Sequence, residues 1–178
     1  MPTDPAPRSR GFTAQAAACL TTLLLAFTAG APPAEAQSQS DWRRFTSPDL
    51  GLSISMPYHL IDGELDEDSL DTIPLRGRAA LYLNMSPLGD ERLETFVKRA
   101  VLNGIDVTYQ RKKGNWIAYS GFAGDEIVYG RTVLSCGGRY AHSFVIAYPA
   151  ALRPTYDPVV TRLSHSLRPD PSFEARNC

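Results

Sequence analysis

The 178-residue chain is 43% hydrophobic, 10% aromatic and 21% charged, the balance of an ordinary globular domain, which excludes a disordered tail or a fibrous repeat. With 18 basic against 19 acidic residues the formal net charge is −1, so no whole-molecule field gathers nucleic acid or an anionic membrane.

Residues 1–36 read as an address. Arg8 and Arg10 form a positive start, Ala16 to Ala29 is nearly all apolar or small, and Ala34-Glu35-Ala36 matches a small-x-small cleavage site. Cleavage is expected before Gln37, because a cut after Ala31 would place Pro32 beside the scissile bond. The alternative is a retained anchor. However, the stretch from Phe12 to Ala29 contains Gln15 and several Thr and barely reaches the roughly 20 apolar residues that span a bilayer. Ser9 separates the two arginines, which favours export of the unfolded chain. The expected location is therefore periplasmic or secreted, with no membrane span after cleavage. Losing Arg8 and Arg10 with Asp4 and Glu35 leaves the net charge at −1.

After a polar spacer, residues 37–41, two strands are expected at Trp42 to Thr46 and Leu50 to Met56, parted by a Ser47-Pro48-Asp49 turn. Leu52, Ile54 and Met56 alternate with Ser53 and Ser55. Asp62 to Asp71 holds six carboxylates and reads as a solvated loop. It departs from the calcium-loop template, with Glu67 where glycine is needed and Ile73 where a carboxylate is needed. Strand character resumes from Ala79 to Met85. Leu93, Phe96, Val97, Ala100 and Val101 recur at helical steps, predicting a helix from about Asp90 to Asn103 that Gly104 stops.

Four strand-like runs follow, Val107 to Arg111, Trp116 to Phe122, Ile127 to Ser135 and Tyr140 to Tyr148, parted by short Gly-bearing turns. They predict a four-stranded antiparallel meander. Asp157-Pro158 is the expected start of a last helix carrying Val160, Leu163 and Leu167 and ending before Pro169. The order predicts a single α+β domain over residues 42–168, a central antiparallel sheet flanked by helices. Residues 169–178 then form a tail, which Pro169 and Pro171 keep extended.

No catalytic or cofactor signature emerges, and no cofactor or metal is expected. His59, His142 and His165 have no metal-ligand spacing. A Ser–His–Asp set from Ser143, His142 and Asp157 lacks the G-x-S-x-G elbow. Cys19 lies upstream of the Leu23-Leu24-Leu25 run, which disfavours a lipid attachment point. Cys136 and Cys178 remain as an even pair in an oxidising compartment. Their bond would close about 43 residues and stabilise by roughly 4 kcal/mol; free thiols or an intermolecular bridge are the alternatives. With a nearby base, an unpaired Cys136 would be a candidate nucleophile.

Arg111-Lys112-Lys113 at a hairpin tip, with Trp116 and Tyr119 nearby, forms a basic–aromatic patch of the kind that meets an anionic partner. The same charges also suit an edge that discourages strand pairing.

The run Phe45-Thr46-Ser47-Pro48-Asp49-Leu50-Gly51-Leu52-Ser53-Ile54-Ser55-Met56-Pro57 resembles the opening of exported PsbP-like domains. Tyr148-Pro149-Ala150-Ala151 and Tyr156-Asp157-Pro158-Val159-Val160 are similar to the final strand and helix of uncharacterised exported bacterial proteins of that kind. The resemblance implies α/β/α layers around a central antiparallel sheet, in a superfamily largely of accessory, assembly and binding proteins. It carries over no catalytic residue. The acidic Asp62 to Asp71 stretch and the Cys136 and Cys178 pair depart from it. The expected function is thus an exported, non-catalytic binding or accessory protein of the bacterial envelope, meeting another envelope protein or a small ligand. The alternative is a thiol-dependent enzyme using Cys136.

Overall fold

The computed structural model describes residues 41–65, 70 and 72–178. The expected leader, and the spacer up to residue 40, lie outside the described residues. Strand β1 (Trp42–Ser47) and strand β2 (Leu52–Pro57) form an antiparallel hairpin. Next come β3 (Ile73–Leu75), β4 (Ala79–Pro87) and helix α1 (Leu93–Ala100). The meander follows as β5 (Asp106–Lys113), β6 (Trp116–Ala123), β7 (Glu126–Ser135) and β8 (Tyr140–Pro149). The chain ends with α2 (Arg153–Ser166), the two-residue β9 (Arg168–Pro169) and α3 (Pro171–Asn177).

The molecule is α+β, but the sheet is larger than the predicted meander. β3 and β4 join the four strands in a six-stranded sheet of order β3-β4-β8-β7-β6-β5, and every pairing in it is antiparallel. The opening hairpin stands outside it, in a separate sheet of order β1-β2-β9. Gly114 and Gly124 turn the β5–β6 and β6–β7 hairpins with φ of 58° and 63°, a region that glycine enters without steric cost.

Alternation along the strands divides the core in two. One face of the large sheet presents Leu81, Leu83, Phe144 and Ile146 to Tyr156, Val159 and Leu163 of α2 and to Leu52, Ile54 and Met56 of β2. The opposite face presents Ile117, Tyr119 and Ala141 to Leu93, Phe96 and Val97 of α1. Helices therefore cover both faces of the sheet.

Three expectations need correction. Helix α1 is shorter than predicted: the chain leaves helical geometry at Val101, and Val101 and Leu102 pack against the α1 core from beyond the helix end. Helix α2 starts at Arg153 with Pro154 in its first turn, so Asp157-Pro158 lies inside it; Asp157 accepts from the Tyr148 hydroxyl at 2.9 Å instead of capping. The predicted extended tail is mostly the helix α3. Asp170 caps it by accepting from the Ser172 N–H at 3.4 Å, and Pro171 occupies the first turn, where its missing N–H costs nothing.

Candidate functional site

The large sheet is six strands wide, but α2 and the small sheet do not reach across it. All eight residues of β5 are exposed. On the α2 face, this mismatch leaves an open groove of about 450 Å³ over β5, β6 and β7, bounded by the end of α2. Cross-strand register sets its floor: Arg111 pairs with Ala118 and Ala118 with Arg131, while Lys113 pairs with Trp116. Adjacent strands lie about 4.8 Å apart, so the two arginines stand roughly 10 Å apart at their Cα atoms, on either side of a methyl group.

Arg131 is held in place. Its guanidinium lies 4.5 Å from the centroid of the Trp116 ring. One Nη donates to the Ser164 carbonyl in the last turn of α2, and the Tyr129 hydroxyl shares a 3.1 Å hydrogen bond with the Ser164 hydroxyl. Its Nε is buried without a hydrogen-bond partner among the described residues. Burial lowers the pKa of Arg131 from its ordinary value, and the positive charge of Arg168 acts in the same direction. Arg168 also lines the groove and donates to the Leu167 carbonyl at 2.7 Å. The groove lining thus carries Arg111, Lys113, Arg131 and Arg168 and no carboxylate.

The predicted patch is divided by strand alternation. Arg111, Lys113 and Trp116 line this groove. Lys112 points to the other face and pairs with Glu94 of α1, a hydrogen bond that lowers the Glu94 pKa. Tyr119 is fully buried in the α1 core and offers no surface to a partner; desolvation pushes its phenol pKa up. Tyr109, Ala118, Tyr129, Arg131 and Arg168 belong to the site although the sequence reading did not select them. The period of two along β5, continued through hairpin register, was the signal for Ala118 and Arg131. Arg168 arrives from a segment distant in sequence, and no local pattern marks it.

Cys136 and Cys178 form a disulfide across a sequence separation of 42, with Cα atoms 4.9 Å apart. In this state Cys136 carries no thiolate, the nucleophile that the thiol-enzyme alternative requires. His142 faces the small sheet while Ser143 points to the opposite face and bonds Thr132 at 2.8 Å, so the two do not form a nucleophile–base pair. Among the described residues no group of three or more His, Cys, Asp or Glu side chains is placed to hold a metal ion, and no helix is long and apolar enough to cross a membrane.

No protein-family model matches the chain, and no curated protein matches it. Among solved structures, the chain is similar to cyanobacterial PsbP (CyanoP) from Synechocystis sp. PCC 6803, with 10% identity, 72% of this chain and 92% of that one covered, and a TM-score of 0.49. It is also similar to the Ran-binding protein Mog1p of Saccharomyces cerevisiae, with 8% identity, 74% and 97% covered, and a TM-score of 0.47. A point mutant of Mog1 aligns at 8% identity over 75% of this chain and 98% of that one, with a TM-score of 0.48.

Proposed function

We propose that this chain is an exported, non-catalytic binding protein of the bacterial envelope that holds an anionic partner in the groove over Ala118. The observation that carries the reading is the gathering of Arg111, Lys113, Arg131 and Arg168 in one open groove without a carboxylate among its lining residues. Uncompensated like charges repel one another, and an anion relieves that repulsion. Export is supported by the Arg8 and Arg10 start, the apolar run and the Ala34-Glu35-Ala36 site, together with a disulfide of the kind that persists in oxidising compartments. The PsbP-like reading of the fold belongs to the same proposal and rests on the sequence motifs at Phe45 to Pro57 and Tyr148 to Val160.

Affinity capture from envelope extract, with the processed protein as bait, tests the reading. Changing Arg111→Gln and Lys113→Gln together is expected to weaken capture several-fold and reduce its salt dependence, while Lys112→Gln leaves capture unchanged. Capture that survives the double change at low salt would overturn the role of the groove. Intact mass of the exported protein tests processing: a chain beginning at Gln37 is expected, and a mass retaining residues 1–36 rejects cleavage.

A further inference from the structure

We infer that the groove over Ala118 is a phosphate site, taking a tetrahedral phosphate group borne on an organic molecule between Arg111 and Arg131. The inference rests on the binding reading above and adds the chemistry of the ligand.

Charge gives the first argument. Neither Arg111 nor Lys113 forms an ion pair among the described residues. Arg131 and Arg168 each give an N–H to a carbonyl at the end of α2, contacts that also offset the negative end of the helix dipole. Those contacts leave the second Nη of each side chain for a ligand. The Arg131 Nε is buried and unpartnered.

Shape gives the second. Arg111 and Arg131 flank Ala118 on the neighbouring strands and line the same groove, and the small Ala118 side chain leaves space between them. A carboxylate carries a single negative charge and directs its acceptor sites within one plane. A phosphate group has oxygens directed to several sides, so it accepts from both arginines together, and its second negative charge matches the surplus of cations. Trp116 stays fixed beneath the Arg131 guanidinium. Tyr109, 46% exposed on the edge strand, offers a ring to the organic part of the ligand.

Isothermal titration calorimetry on the processed protein at constant ionic strength tests this, with glucose 6-phosphate, inorganic phosphate, acetate and phosphatidylglycerol vesicles as probes. Saturable binding of glucose 6-phosphate, with a Kd at least tenfold below that of acetate, is expected. Ala118→Leu should weaken it at least tenfold by raising the floor while keeping every cation. Arg111→Gln, on an exposed strand where folding is not at stake, should do the same. Vesicle binding that glucose 6-phosphate displaces identifies the source as a lipid headgroup; soluble binding without vesicle binding identifies a free phosphate ester. Acetate binding as tightly as the phosphates, or phosphate binding unchanged in Arg111→Gln, overturns the inference. If phosphates fail while envelope capture still depends on Arg111 and Lys113, only the ligand chemistry is wrong. If capture is also independent of them, the binding reading falls with it.

Discussion

His142 is fully buried between the sheet and the end of the chain. Its Nδ1–H donates to the Leu50 carbonyl at 2.8 Å, since a carbonyl only accepts, leaving Nε2 to accept from the Ser135 hydroxyl at 2.7 Å. The Phe173 ring stands edge-on at 5.3 Å. Burial lowers the imidazole pKa below its ordinary 6.5, outweighing the Leu50 carbonyl and Glu174, which raise it. Above that ordinary value both folded and unfolded chains are neutral here, and the contribution of His142 to stability is fully present. As pH falls below it the unfolded chain takes up a proton first, so this contribution is lost toward the depressed folded value. The urea midpoint is therefore expected to drop between pH 7 and pH 5, with a shallower slope in His142→Gln. Equal slopes would show that other groups dominate acid lability. Gly130 is constrained by a different neighbour: a Cβ there would lie 2.2 Å from the Tyr119 hydroxyl oxygen and 2.3 Å from its Cζ. Gly130→Ala is expected to destabilise by about 1–3 kcal/mol through overpacking, measured by denaturant unfolding. An unchanged midpoint would mean that the Tyr119 ring is free to move aside.

The C-terminal segment is an integral element because three kinds of contact hold it. Phe173 packs edge-on to both Tyr140 and His142, and Arg139 donates to the carbonyls of Asn177 and Cys178 at 2.8 and 3.2 Å. The disulfide joins its last residue to the Cys136 turn. Reduction is expected to lower the Tm by roughly 10 °C, from a chain-entropy contribution of about 4 kcal/mol. Non-reducing peptide mapping should recover the Cys136 and Cys178 peptides as one linked species. Two alkylatable thiols in the native, unreduced protein would reject the pairing and restore Cys136 as a candidate nucleophile. Phe173→Ala with the disulfide intact should still cost about 3 kcal/mol, since it empties a buried aromatic site. A negligible cost would show that covalent tethering alone orders α3.

The groove arises from a mismatch in width between layers. Helix α2 and the small sheet bury Leu81, Leu83, Phe144 and Ile146, whereas Val107 and Tyr109 on β5 stay 36% and 46% exposed. An uncovered margin next to a helix end is a concave surface, and alternation along β5 supplies it with Arg111 and Lys113. The basic triplet therefore acts on two fronts. Lys112 ties the margin to α1 through Glu94, and its neighbours face the groove. Lys112→Gln should shift the Tm by no more than a degree or two, since exposed ion pairs contribute little. A larger loss would make the pair a structural anchor of the edge.

The strands of the meander were legible in the sequence because hairpins are local. A period of two and a Gly-bearing turn between neighbouring runs suffice for Trp116 to Phe122 and for Ile127 to Ser135, which the structure extends by one residue each at the turn. Leu93, Phe96 and Val97 likewise marked α1 by spacing alone. What joins distant segments had no local signature: β4 pairing with β8, β2 pairing with β9, and the arrival of Arg168 beside Arg111 depend on which apolar faces meet. Pro171 shows the same limit within one element. Its ring restricts φ in an extended tail and in a first helical turn alike, and the choice fell to Asp170 as cap and to the burial of Phe173. The sequence by itself determined charge, periodicity and turn positions, because these act between neighbours along the chain. Only the tertiary structure decided that Tyr119 is core and Arg131 is site, because burial depends on which layer covers each face and where that layer stops.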